Sequence, residues 1–150
     1  MSLLGTYFSK ADLKAIAKAC SEAEKNTSGE IRISVFSKTP SQLKDKNVME
    51  IALDEFYRLG MDKTRDRTGI LLLILLDKRK FQILGDAGIY VKIEQSVWDS
   101  AAESLSQDFK NHNYRTGVIN VVTKMGVILA EHFPRKSDDV NELTDEVFVR

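Results

Sequence analysis

Apolar residues recur at three different spacings along the chain, and each predicts a different element. Leu13, Ile16, Ala17, Cys20 and Ala23 fall three or four apart, the stripe of an amphipathic helix. Ser9 and Asp12 give that helix an N-cap and an acidic first turn, and the polar run at 26–29 stops it. The period then drops to two. Ile31, Ile33 and Val35 face one way and Arg32, Ser34 and Phe36 the other, which predicts a strand with one better-buried face. Pro40 and Ser41 open a polar loop, after which Met49, Ala52, Leu53 and Phe56 form a second helical stripe closed by Gly60. From Ile70 to Leu76 the chain is apolar without interruption. Such a run predicts that the strand Gly69–Leu76 is central and covered by helices on both faces.

Asp77 and Lys78 then make a tight turn, and Lys80–Leu84 returns as an antiparallel partner. Gly85-Asp86-Ala87-Gly88 reads as a loop, and Ser96 with Asp99 repeats the capping pattern ahead of Trp98, Ala101, Ala102, Leu105 and Phe109. After a break at 111–113, Val118, Val121, Val122, Met125 and Leu129 mark a last helix that ends at Pro134. Gly126 inside it costs about 1 kcal/mol relative to alanine, which points to a close approach between this helix and the sheet. Residues 135–150 form an acidic C-terminal tail: from Ser137 onward there are five acids and one base, Arg150. Its apolar residues are too irregular for a helix, so a surface-draped or disordered tail is expected. A helical crossover between the first two strands predicts a parallel pair with right-handed connection. The expected fold class is α/β: a three-layer α/β/α sandwich around a small mixed sheet containing a β-hairpin.

Composition narrows the classes. The chain has 150 residues with 22 Lys+Arg against 22 Asp+Glu. A single domain of this length buries roughly 70% of its unfolded surface and needs no staples. Zero net charge removes the footprint of a general nucleic-acid binder. One cysteine, Cys20, makes no internal disulfide and is read as a small core residue. The longest apolar run is far below the ~20 residues of a membrane-spanning helix, and no secretory pattern is visible at the start. A reduced, cytoplasmic protein is the expectation.

Most familiar catalytic patterns are missing, among them G-x-S-x-G, the Walker loop and H-E-x-x-H. His112 reads as solvated in its Asn-His-Asn loop, and His132 as a cation suited to a helix C-terminus. Glu30 and Arg32 read as ordinary sheet-surface charges, Phe36, Tyr57, Tyr90 and Trp98 as core aromatics, and Lys78, Arg79 and Lys80 as a solvated hairpin tip. The polar loops around the hairpin remain. Asp62, Asp66 and Arg67 precede the apolar strand, and Asp86 follows its partner. Because the strands run antiparallel, the entry of one and the exit of the other meet at one end of the sheet. Carboxylates and a guanidinium gathered there suit a hard cation or a phosphate, against the alternative of a solvated connection with Asp86 as a turn or helix-entry residue.

The segment TRDRTGILLLILLDKRKFQILGDAGI resembles the TPM domain, a family that includes a thylakoid-lumen acid phosphatase implicated in photosystem II repair. The likeness rests on Arg67-x-Gly69, the aliphatic strand, the Asp77–Lys80 turn and Gly85-x-x-Gly88-Ile89. It continues through Ser28-Gly29-Glu30-Ile31 and Asn113-Tyr114-x-x-Gly117, covering roughly residues 8 to 134. The resemblance implies an α/β/α sandwich and the transfer of Asp66, Arg67, Gly85, Asp86 and Gly88 as binding positions. Two functions follow from it. One is a non-catalytic interaction or accessory module with an unidentified protein partner, serving a membrane-associated complex by peripheral association. The other is an acid phosphatase acting on phosphomonoesters with Ca2+ or Mg2+, in which Asp66 and Asp86 are the metal ligands and Arg67 steadies phosphate oxygens.

Overall fold

The computed structural model describes residues 3–136 and 147–150. Along the chain run α1 (Leu3–Tyr7), α2 (Lys10–Glu24), β1 (Glu30–Phe36), α3 (Val48–Arg58), β2 (Gly69–Leu75), β3 (Lys80–Gly85), α4 (Ala87–Tyr90), α5 (Gln95–Lys110), α6 (Tyr114–His132) and β4 (Val147–Val149). The strands form one mixed sheet in the order β3-β2-β1-β4. β1 and β2 are parallel with Ile33 beside Leu72, and β3 returns antiparallel with Ile83 beside Leu72. Every residue of β2 is buried, as its unbroken apolar run requires. Ile70, Leu72 and Ile74 face α2, α5 and α6 in the larger core, whereas Leu71, Leu73 and Leu75 face α3. The fold is a three-layer α/β/α sandwich.

Local chemistry sets the boundaries. The Ser9 hydroxyl accepts from Asp12 N–H while Asp12 accepts from Ser9 N–H, a complete capping box on α2. Asn47 and Glu50 repeat it on α3. Gly60 follows α3 with φ of 72°, the left-handed geometry a C-terminal glycine supplies cheaply. Cys20 is fully buried against the sheet.

Several expectations are corrected. The tail is not wholly draped: Val147–Val149 forms a strand parallel to β1, with Phe148 beside Ser34, while the rest of the segment, 137–146, lies outside the described residues. Three apolar residues among acids are too few for a periodic signal. Ser96 and Asp99 do not cap α5. The helix starts at Gln95, whose side-chain amide donates to Asp99 and to the Ile83 carbonyl. Ala87 and Gly88, read as part of a loop, open the short helix α4. Gly126 admits another helix and not the sheet, since a Cβ there lies 2.7 Å from Ala23 Cβ on α2. On α3 the inward face carries Ile51 and Glu55, and Leu53 is turned outward. Tyr57 and Tyr90 are exposed, unlike Phe36 and Trp98, which are core.

The largest departure concerns charge. Arg32 is fully buried and Glu30 nearly so; neither is a surface charge. Arg32 bends around the sheet edge and donates to Glu24 Oε2 at 2.7 Å, and the same oxygen accepts the Ile31 N–H at 2.7 Å. Ile31 precedes the part of β1 that pairs with β4, and Glu24 satisfies its N–H, a ladder donor without a strand partner among the described residues. Burial pushes the Glu24 carboxyl above its usual range, and Arg32 and the Ile31 N–H only partly offset this. On the opposite face, Glu55 accepts from Ser34, from two nitrogens of Arg58 at 2.6 and 2.8 Å, and from Arg150 at 3.0 Å. Arg150 also extends the β4 ladder, donating its N–H to Val35 O, and lays its guanidinium 4.8 Å over the Phe36 ring.

Candidate functional site

The N-terminal ends of β1 and β2 and the C-terminal end of β3 meet at one end of the sheet, because β3 runs antiparallel to its neighbour. Arg67 and Asp86 converge there as the sequence predicts. Arg67 Nε donates to Asp86 Oδ2 at 2.8 Å and a terminal nitrogen to Oδ1 at 3.0 Å, a two-pronged fork. Asp86 Oδ1 also accepts the Ala87 N–H at 2.7 Å, so this carboxylate caps α4 as well. The hydrogen bonds that Arg67 donates to the Asp86 carboxylate raise the Arg67 pKa, with Asp62 adding a weaker attraction. Arg67 holds this position at φ of 56°, a left-handed conformation that costs a non-glycine residue.

The two glycines are needed for closeness. A Cβ at Gly88 lies 2.5 Å from Asp66 O and 2.6 Å from Arg67 O, both backbone atoms, and the Gly88 N–H donates to Arg67 O at 2.9 Å. Gly88 thus clamps the loop that carries Asp66 and Arg67. Gly85 lies beneath Ile89, where a Cβ falls 2.8 Å from Ile89 Cγ2. Gly85 is a packing position and Gly88 a loop-positioning one.

Asp66 stands apart from Asp86. Its Oδ2 pairs with Lys136 at 3.5 Å and Arg65 at 3.4 Å, and it lines a cleft of about 330 Å³ with Ser28, Thr68, Gly88, Lys92 and Lys136. The far wall is tied to β1. The Thr27 hydroxyl and the Ser28 N–H both donate to Phe133 O. Lys92 reaches the His132 carbonyl at 3.4 Å and sits 5.0 Å over the Phe133 ring. Thr68 spends its hydroxyl on the Ser28 carbonyl. Among the described residues, the result is a basic cleft with one carboxylate lining it. Sequence reading missed Lys92, Arg135 and Lys136, although the run His132-Phe133-Pro134-Arg135-Lys136 packs a histidine and two cations into five positions.

In this geometry Asp66 and Asp86 are engaged by different partners. Both oxygens of Asp86 are committed to Arg67, one of them also to the helix cap, and Asp66 is neutralised by two cations. Among the described residues, no group of three or more His, Cys, Asp or Glu side chains is placed to hold a metal ion. None of the described helices is long and apolar enough to cross a membrane.

A sandwich of this topology, with a glycine-clamped loop at the entry of its central strand, defines a class of small α/β domain. The chain belongs to the TPM domain family, whose profile matches residues 4–128. It is similar to the BA42 protein from the psychrophilic bacterium Bizionia argentinensis, at 34% identity over 96% of each chain with a TM-score of 0.84. The N-terminal domain of a P. gingivalis protein shares the fold at 17% identity, over 85% of this chain and 79% of that one, with a TM-score of 0.68. So does the N-terminal domain of a Corynebacterium glutamicum protein, at 11% identity over 94% and 80%, with a TM-score of 0.59. No curated protein matches the chain.

Proposed function

We propose that this TPM domain is a non-catalytic interaction or accessory module, engaging a protein partner in a membrane-associated assembly through the basic cleft. The observation that carries the reading is the commitment of Asp86 to the Arg67 fork and the α4 cap. A carboxylate so engaged serves the architecture of the loop. Among the described residues around the cleft, Lys92, Arg135 and Lys136 stand against one acid, Asp66, which suits an acidic segment of a partner. In-cell photo-cross-linking tests this. A photoreactive residue at His132, an exposed residue lining the cleft, is expected to give a discrete protein adduct that Lys92→Glu removes, and one at the exposed Val127 on α6 is expected to give none. Equal adducts from both positions, or none from position 132, contradict the reading.

A second reading draws on the same cleft. Its cations also suit phosphate oxygens, and Asp66 is a carboxylate facing them, which favours an acid phosphatase for phosphomonoesters. A bound Ca2+ or Mg2+ would supply polarisation of the phosphoryl group. Asp86 joins such a site only by releasing Arg67, so this reading requires the loop to rearrange on loading.

A further inference from the structure

At the other end of the sheet, where β2 turns into β3, lies a second cavity, of about 320 Å³. Its body is aromatic. Phe109 stands at the centre, with Phe81 edge-on at 4.7 Å, Tyr114 at 5.0 Å and Tyr7 stacked at 5.6 Å. Tyr7 and Tyr114 meet edge-to-face at 4.6 Å. These rings come from α1, β3, α5 and α6, so four elements build the wall. Phe109 is buried, while Tyr7, Phe81 and Tyr114 keep part of their surface open.

The rim is cationic. Arg79 and Lys110 line the cavity with exposed side chains, and neither makes an ion pair among the described residues. Among the described residues no carboxylate lines it; the neighbouring acids Asp99 and Glu103 belong to the adjoining groove along β3. His112 completes the rim, its Nδ1 2.7 Å from the Tyr114 hydroxyl. Apart from Arg67, the non-glycine residues with left-handed backbone among those described are Arg79, with φ of 50°, and His112, with φ of 61°. Both frame this cavity. Glycine would take either conformation more readily, so the fold retains a strained cation and a strained imidazole at one mouth. The carboxyl end of a sheet strand is also where open α/β folds hold small ligands.

We infer that this cavity binds a small aromatic carboxylate, its ring among Tyr7, Phe81, Phe109 and Tyr114 and its charge on Arg79 and Lys110. Offset and edge-on ring contacts fix the body, and two otherwise unpaired cations fix the anionic group. The volume sits at the low end for ligand pockets, which limits the occupant to one or two rings.

The test is titration of the protein with phenylacetate, followed by backbone amide NMR, with phenylacetamide as the neutral isostere. Saturable shifts are expected at residues 79–81 and 106–114, with a millimolar or tighter Kd as befits a one-ring fragment. Phenylacetamide should bind at least about tenfold more weakly, and Arg79→Gln with Lys110→Gln should weaken phenylacetate by a similar factor. Ser106→Leu, which fills the cavity from α5, should abolish the shifts while the remaining spectrum stays dispersed. Absence of saturable shifts at these residues, equal binding of the amide, or shifts confined to the Asp66 cleft would overturn the inference.

Discussion

Asp86 carries two tasks on one carboxylate, and substitutions separate them. Asp86→Ala removes the fork to Arg67 and the cap on α4, and should cost about 1–2 kcal/mol. Asp86→Asn keeps an acceptor for the Ala87 N–H and should cost less; urea denaturation of both variants checks the order. Gly88 is less forgiving. A methyl group there meets two backbone carbonyls, which cannot swing aside as a side-chain tip can, so Gly88→Ala should cost about 1–3 kcal/mol and displace the Asp66–Arg67 loop. Thermal unfolding together with the amide shifts of residues 65–68 reads both effects. The sequence pointed to Arg67 and Asp86 as neighbours because antiparallel pairing fixes which loop ends meet. It did not show that the two satisfy each other, since the length of a guanidinium reach and the left-handed turn at Arg67 leave no periodic trace.

Among elements, β2 was legible and β4 was not. Seven consecutive buried aliphatic residues announce a central strand, whereas Val147–Val149 gains its place from pairing with β1 and from the anchor of Arg150. The same blindness hid Arg32 and Glu55. A strand read in isolation puts Arg32 on an outer face, and only the approach of α2 brings Glu24 to it. For Glu55, burial pushes the carboxyl up, but hydrogen bonds from Arg58 and Ser34 and the charges of Arg58 and Arg150 outweigh it, so its pKa lies below the usual 4.5. A lowered folded value means that this stabilisation is complete above the unfolded value and is lost as pH falls through the folded one. Stability should therefore decline below about pH 4.5, and Glu55→Gln should flatten that part of the profile in denaturation midpoints taken across the acid range. Glu24 opposes it in sign: its raised value adds stability as pH falls, and that contribution is lost as pH rises through the folded value. Glu55→Ala strips Ser34, Arg58 and Arg150 of their common acceptor and should cost about 2 kcal/mol at neutral pH, less than a wholly enclosed pair because both arginines keep contact with water.

For the whole molecule, the layering followed from the sequence because β2 demanded cover on both faces and the helical stripes could supply it. What the chain does depends on how one end of that sandwich is wired. On the proposed reading its carboxylates serve the loop and its cations face a partner, and no phosphoryl chemistry is expected of it. Turnover tests this most directly: purified protein with p-nitrophenyl phosphate, from acidic to neutral pH, with and without Ca2+ or Mg2+. The account predicts no release above the buffer rate under any condition, with Asp66→Ala indistinguishable from wild type. Cation-dependent release that saturates with substrate and disappears in Asp66→Ala would contradict it.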